Sequence, residues 1–245
     1  SAREAATISM NFSFVSLPFT YVIAKLIGVD HKFTIFYIIC TLSGIILAAI
    51  MPRIPPLSKI PDTYDEISGK QIDESIPEGV SKIKWALNLA GKRAKKASSN
   101  DLLKQGLHVY SSMFMDLIPI VMAWGTIVLV LVEFTPIFNI ISLPFEWYIN
   151  VLGIEGAKEV APTALVGFAD MYIPPLMLAN FPIERTRFIM GAATLLQIIY
   201  MTEVGLIILK SRVPVNVGHL FVVFLERTII AIPLVTLLTN LLVTF

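Results

Sequence analysis

The feature that most constrains this chain is a series of apolar runs, each near the ~20 residues that an α-helix needs to cross the hydrocarbon core of a bilayer. The clearest is Phe33 to Met51, which carries no charge and ends at Pro52 and the Pro55-Pro56 pair. Phe188 to Leu209 and His219 to Phe245 are two more. Composition agrees, with 56% hydrophobic residues, 15% charged residues and a mean hydropathy of +0.76. Soluble domains usually hold about 45–50% apolar and about 25% charged residues, so lipid is the solvent that this composition implies.

Other runs are less regular. Glu4 to Ile27 reads as one weak span, interrupted by Thr7, Ser9, Asn11, Ser13 and Ser16 and by Pro18, a residue without a backbone donor. Val109 to Val132 reads as a span that meets Glu133 at its far end. Pro136 to Gly153 is broken by Pro144 and carries Phe145, Trp147 and Tyr148, which suits a short interfacial or re-entrant segment. Val160 to Phe181 contains Pro162, Gly167, Asp170, Pro174 and Pro175, too many breakers for a continuous helix. The expected fold class is therefore all-α, a polytopic membrane protein with a broken or re-entrant helix.

Charge sets the expected topology. Ten of the nineteen basic residues fall between Arg53 and Lys104, which places residues 53–104 in the cytoplasm by the positive-inside rule. Within that loop Val80, Ile83, Leu87, Ala90 and Ala94 recur at helical spacing beside six Lys and Arg residues, as in a helix lying on an anionic leaflet. The last two spans remain ambiguous. Arg185 and Arg187 fall inside if 160–181 crosses, and Lys210 and Arg212 fall inside if it re-enters.

Charges inside apolar runs cost about 2.5–3.5 kcal/mol each on insertion scales, so they face a cavity or a partner. Here they are Asp116, Asp170, Glu203, Glu226 and Arg227. Asp170 precedes Pro174-Pro175, where freed carbonyl groups and a carboxylate could together hold a polar solute or cation. The plainer reading is a proline kink with Asp170 capping a helix end. Gln197, Tyr200 and Glu203 fall on adjacent turns of one predicted helix face and suit either solute binding or interhelical hydrogen bonds. Asp170, Thr163, Gly167, Pro174, Gln197, Tyr200 and Glu203 are the candidate substrate-binding residues, with Asp170 and Glu203 as candidate ion-coupling carboxylates. Glu226 and Arg227, about 100° apart on a helix, are expected to pair with other helices, Arg227 with Asp116 or Glu203.

Cys40 is the only cysteine, so neither an intrachain disulfide nor a cysteine metal site can form. His31, His108 and His219 lack zinc spacing and read as interfacial, and no metal or other cofactor is expected. A net charge of +1 gives no support to nucleic-acid binding. No nucleophile motif, Walker A or dinucleotide fingerprint is present, so the chain is not expected to be an enzyme.

Four segments carry a resemblance: Arg3 to Ala6, Met51-Pro-Arg-Ile-Pro-Pro-Leu-Ser-Lys-Ile-Pro-Asp-Thr-Tyr64, Leu165 to Pro174, and Gln197 to Gly205. Together they resemble the YjiH-like bacterial membrane proteins, which carry a nucleoside-recognition Gate domain. The resemblance implies a multi-pass protein of the bacterial inner membrane, a transporter or transporter half for a small polar solute such as a nucleoside or nucleobase. It also implies further helices upstream, so that the partners are the bilayer, the solute or a cation, and an upstream half or a second copy. In this reading residues 1–52 form a transmembrane hairpin, 53–108 a basic cytoplasmic loop and 109–245 a Gate-like bundle. The alternative is a non-transporting scaffold resembling spore-maturation Gate proteins.

Overall fold

The computed structural model describes residues 1–11, 16–64, 81–96, 98–112, 114–115, 118–211 and 213–245. Among them every regular element is helical. Among the described residues three stretches are long and apolar enough to cross a membrane: Asp30–Arg53, Glu184–Lys210 and Val217–Leu242. The chain forms two compact units, one of Ser1–Thr63 with Ala123–Phe245 and one of Tyr64–Met122. The smaller holds α4 (Lys82–Lys96) and α5 (Ser99–Ser112), with Ile83 and Leu87 exposed on α4 beside its lysines. Val80, expected on that apolar face, lies outside the described residues, as do Asp116 and Arg212.

The larger unit begins with α1 (Ala2–Asn11) and α2 (Leu17–Leu26). The expected single span from Glu4 is thus two helices. Pro18 does not interrupt α2 but starts it, in the first turn behind the Ser16 cap, where a missing N–H costs nothing. Gly28, at φ 70°, ends α2, and the Val29 N–H closes back on the Ala24 carbonyl at 2.8 Å. A 3-10 turn at Asp30–Lys32 then leads into α3 (Phe33–Ile50), the expected clean span.

The unit has two ends, named here by Lys32 and Lys59. α3 runs from the first to the second, and a proline-rich segment with 3-10 turns at Met51–Arg53 and Leu57–Lys59 follows it. α6 (Ile118–Phe134) enters the unit at Ala123. It begins later than the expected span from Val109 and takes Glu133 into its last turn. α7 (Ile137–Ile141) and α8 (Leu143–Val151) follow, and the break falls at Ser142 because Pro144 sits in the first turn of α8.

Next come α9 (Ala157–Val166) and α10 (Ile173–Leu178). They form a hairpin that returns to the end it left. Gly156 before α9 lies against the ring of Phe181 after α10, and any Cβ there would overlap that ring. Thr186 Oγ1 donates to the Glu155 carbonyl at 2.9 Å, and Arg185 Nη1 to the Gly153 carbonyl at 3.0 Å.

α11 (Glu184–Gln197) starts at the Lys32 end, where Lys32 Nζ and His31 Nε2 lie 2.9 and 3.0 Å from Glu184 Oε1. After a break, α12 (Leu206–Lys210) continues it. α13 (Val217–Leu242) starts at the Lys59 end, where Pro214 and His219 share a cavity wall with Pro55 and Pro61. It finishes where Lys32 Nζ stands 4.1 Å from the Phe245 ring centre. Lys210 therefore shares an end with the basic segment after α3, and Arg185 and Arg187 lie at the other. Charge counting left open which of the two basic pairs shares an end with that segment; the hairpin's return puts Lys210 there.

The main core joins α2, α3, α8, α9, α11 and α13 around Phe36, Phe188, Ile189, Ala231 and Val235. Pro233 inside α13 has no N–H for the Ile229 carbonyl. The Tyr148 hydroxyl donates to that carbonyl at 2.5 Å and ties α8 to α13. Tyr148→Phe is expected to lower stability by about 0.5–1.5 kcal/mol. In a Pro233→Ala background residue 233 supplies its own N–H, so the same change is expected to cost far less. A double-mutant cycle by denaturant unfolding in detergent reads the difference.

Candidate functional site

Two breaks meet inside the larger unit. One is the tip of the α9–α10 hairpin, residues 167–172, and the other separates α11 from α12, residues 198–205. The sequence predicted the first. It did not predict the second, so the expected polar stripe of Gln197, Tyr200 and Glu203 along one continuous helix is corrected. Ile198 takes φ 63°, which a β-branched side chain rarely adopts, and the Ile199 N–H donates to the Gln197 carbonyl at 2.7 Å in a tight γ-type turn. Met201–Gly205 then winds as a single π turn before α12.

The breaks pair through their backbones. The Met201 N–H donates to the Phe168 carbonyl at 2.8 Å and the Thr202 N–H to the Ala169 carbonyl at 3.2 Å. Side chains take up the remaining helix ends. Asp170 is 5% exposed, and its Oδ1 accepts from the N–H groups of Tyr172 at 2.7 Å and Ile173 at 3.1 Å. It therefore caps the start of α10 from two residues before the N-cap position, which Tyr172 holds, at the end whose peptide dipoles favour a negative charge. Oδ2 accepts from the Thr202 hydroxyl at 3.3 Å, which joins the cap to the second break. Gly125 of α6 faces that same oxygen, 3.7 Å from where its Cβ would stand.

The end of α11 is capped by two residues. The Tyr200 hydroxyl donates to the Thr194 and Leu195 carbonyls at 3.0 and 3.2 Å. Arg227 Nε donates to the Leu196 carbonyl at 3.0 Å, and Nη1 to Asn11 Oδ1 at 2.5 Å. Arg227 is fully buried, and its partners are an amide and a carbonyl, not the expected carboxylate of Glu203. A cation at the negative end of a helix dipole is favourably placed without an acid. Asn11 in turn donates to the Ala48 carbonyl at 2.9 Å, linking α1 and α3 to the break.

Gln197 Nε2 donates to the Ala164 carbonyl at 2.9 Å and to the Thr228 hydroxyl at 3.1 Å. Gly167 leaves room for its carboxamide, since a Cβ there would overlap Gln197 Oε1. At the breaks, two buried polar atoms of described residues have no hydrogen-bond partner: Gln197 Oε1 and Arg227 Nη2. Glu203 is half-buried in the π turn of the second break. Thr163 and Pro174 are buried, the Thr163 hydroxyl bonding the Val160 carbonyl of its own helix at 2.6 Å. The structure thus brings Asp170, Gly167, Gln197, Tyr200 and Glu203 to the two breaks. Thr202 and Arg227 belong with them; Arg227 was legible only as a buried charge, and Thr202 only as the neighbour of Glu203. Among the described residues no group of His, Cys, Asp and Glu could hold a metal ion.

The chain is 42% identical over 239 residues to an uncharacterized protein of Alkalihalophilus pseudofirmus, a match that covers 97% of this chain and 52% of the relative. It thus spans about half the length of that curated relative. No family model and no solved structure matches it.

Gly167→Ala is expected to push the Gln197 carboxamide off Ala164 and Thr228 and to destabilise the chain by about 1–3 kcal/mol. Thermal unfolding in detergent measures the loss, and a Gln197→Ala background, which opens the space, should make Gly167→Ala nearly neutral.

Proposed function

We propose that this chain is part of a polytopic membrane transporter for a small polar solute, with its site where the hairpin tip meets the α11–α12 break. The observation that carries the reading is this meeting of two unwound segments. Irregular backbone persists at membrane depth only where it is buried in protein or lines a polar cavity, and transporters use such breaks to hold solutes. Gln197 Oε1 offers a solute an acceptor and Arg227 Nη2 a donor. Glu203 and Asp170 are the two acids at the breaks on which a coupling cation or proton would act.

The bacterial inner membrane is what the resemblance implies, and charge supplies the proposed orientation. Lys210 sits at the same end as Arg53 and Lys59, which open the segment that the positive-inside rule assigns to the cytoplasm. Nucleosides and nucleobases are the first solutes to test, because the motifs resemble those of Gate-domain proteins and because both classes carry the donors and acceptors that the orphaned atoms require. A scaffold is the second reading, favoured by the fact that every hydrogen bond of Asp170 is internal.

Asp170→Asn separates the two. Asparagine keeps the oxygen that caps α10, so the fold is expected to hold, while the charge disappears. For a transporter, binding of a nucleoside or nucleobase, read as a ligand-dependent rise in melting temperature, is expected to fall at least about tenfold. Solute uptake into proteoliposomes should lose its dependence on the ion gradient in Glu203→Gln. A flat response of the folded wild type to nucleosides, nucleobases and cations favours the scaffold.

A further inference from the structure

A cavity of about 520 Å³ opens at the Lys59 end, between the segment after α3 and the start of α13. Lys59, His219 and Glu226 line it with Pro55, Pro61 and Pro214. This volume lies within the range of small-molecule sites, about 300–1,000 Å³. The cavity is separate from the two breaks: Glu226 lines it, while Arg227, the next residue, turns into the core to cap α11.

The charges on its walls are opposite and unspent. Glu226 Oε2 is buried without a hydrogen-bond partner, although a carboxylate oxygen out of water is costly unless a donor reaches it. Lys59 is exposed, and none of the ion pairs among the described residues includes it or Glu226. The two line one cavity without neutralising each other, so a ligand with an ammonium and a carboxylate would complete both.

His219 adds direction. Its Nδ1 accepts from the Asn216 N–H at 3.3 Å, while Asn216 Oδ1 accepts from the His219 N–H at 2.9 Å, the reciprocal cap of α13. An imidazole that accepts at Nδ1 carries its proton at Nε2, so the ring offers a donor. That donor stands in the first turn of a 26-residue helix, where the peptide dipoles favour an anion. The carboxylate end therefore belongs near His219 and Lys59, and the ammonium end at Glu226. Prolines on the facing walls carry no N–H of their own to compete.

We propose that this cavity binds a small zwitterion of the amino-acid type, its ammonium on Glu226 and its carboxylate on Lys59 and His219. The site stands independently of what the two breaks carry.

The test titrates the full chain in detergent with each of the twenty proteinogenic amino acids, reading melting temperature and heat of binding. The tightest binder is then compared with its decarboxylated amine and its deaminated acid. At least one amino acid is expected to bind saturably, and both analogues more weakly. Glu226→Gln and Lys59→Gln should each weaken it about tenfold or more. In Glu226→Gln the amino acid should lose its advantage over the deaminated acid, and in Lys59→Gln its advantage over the amine. Lys59 is exposed, so its variant reports on the ligand even if Glu226→Gln disturbs α13. Absence of binding by all twenty overturns the proposal, as does affinity unchanged in both variants. Binding lost in Asp170→Asn but kept in both cavity variants assigns the ligand to the breaks and overturns it equally.

Discussion

Each helix that stops inside a protein strands N–H groups at one end and carbonyls at the other, and burial makes an unpaired one expensive. Two such stops fall together here, and the larger unit is arranged around satisfying them. Backbone pairs backbone at Phe168–Met201 and Ala169–Thr202. What remains goes to side chains of matching sign, Asp170 at the start of α10 and Arg227 at the end of α11. Each charge meets the opposite pole of a helix dipole, which allows a buried acid and a buried base to sit in one region without an ion pair between them.

Arg227 has the widest reach. Through its Nε it holds the end of α11, and through Nη1 it holds Asn11, whose own amide reaches Ala48 of α3. One guanidinium thus connects α1, α3, α11 and α13. A lysine would offer no planar fork to serve a carbonyl and an amide in different directions. Tyr148 answers the same need further along α13, at the carbonyl that Pro233 leaves free.

The legible parts of the sequence were those where composition and a local rule agree. α3 and α13 show as apolar runs, and the hairpin tip shows because Gly167 weakens a helix and Pro174 and Pro175 belong in the first turn of a new one. The α11–α12 break was hidden because Leu-Leu-Gln-Ile-Ile-Tyr-Met has no proline and keeps its hydrophobicity throughout. What breaks it is tertiary: Tyr200 and Arg227 take the carbonyls, and the hairpin tip takes the N–H groups of Met201 and Thr202. Arg227 was misassigned for a related reason. The rule that buried charges seek opposite charges overlooks helix ends, which supply partial charge from the backbone. The hairpin's return was undecidable from charge, since Arg185 and Arg187 balance Lys210 and Arg212; it rests on Gly156, Phe181 and Thr186, residues with no charge to count.

Most polar side chains at the breaks are used up by the fold, and this gives weight to the few that are not. Asp170 spends both oxygens on the backbone and Thr202, and Tyr200 spends its hydroxyl on α11. Such residues hold the unwound segments in place; they position a site more than they offer one. Gln197 Oε1 and Arg227 Nη2 are the reverse, since each belongs to a group already anchored by another atom, leaving one fixed acceptor and one fixed donor unspent. Under the proposed membrane placement no lipid could satisfy them, so only water, a solute or a rearrangement of the breaks would do so. A second cost lies at Ile198, whose strained backbone amounts to about 1–3 kcal/mol and is held by the packing around it. Strain and unpaired polar atoms meet at one junction of α11, so a rearrangement of the backbone there would relieve both.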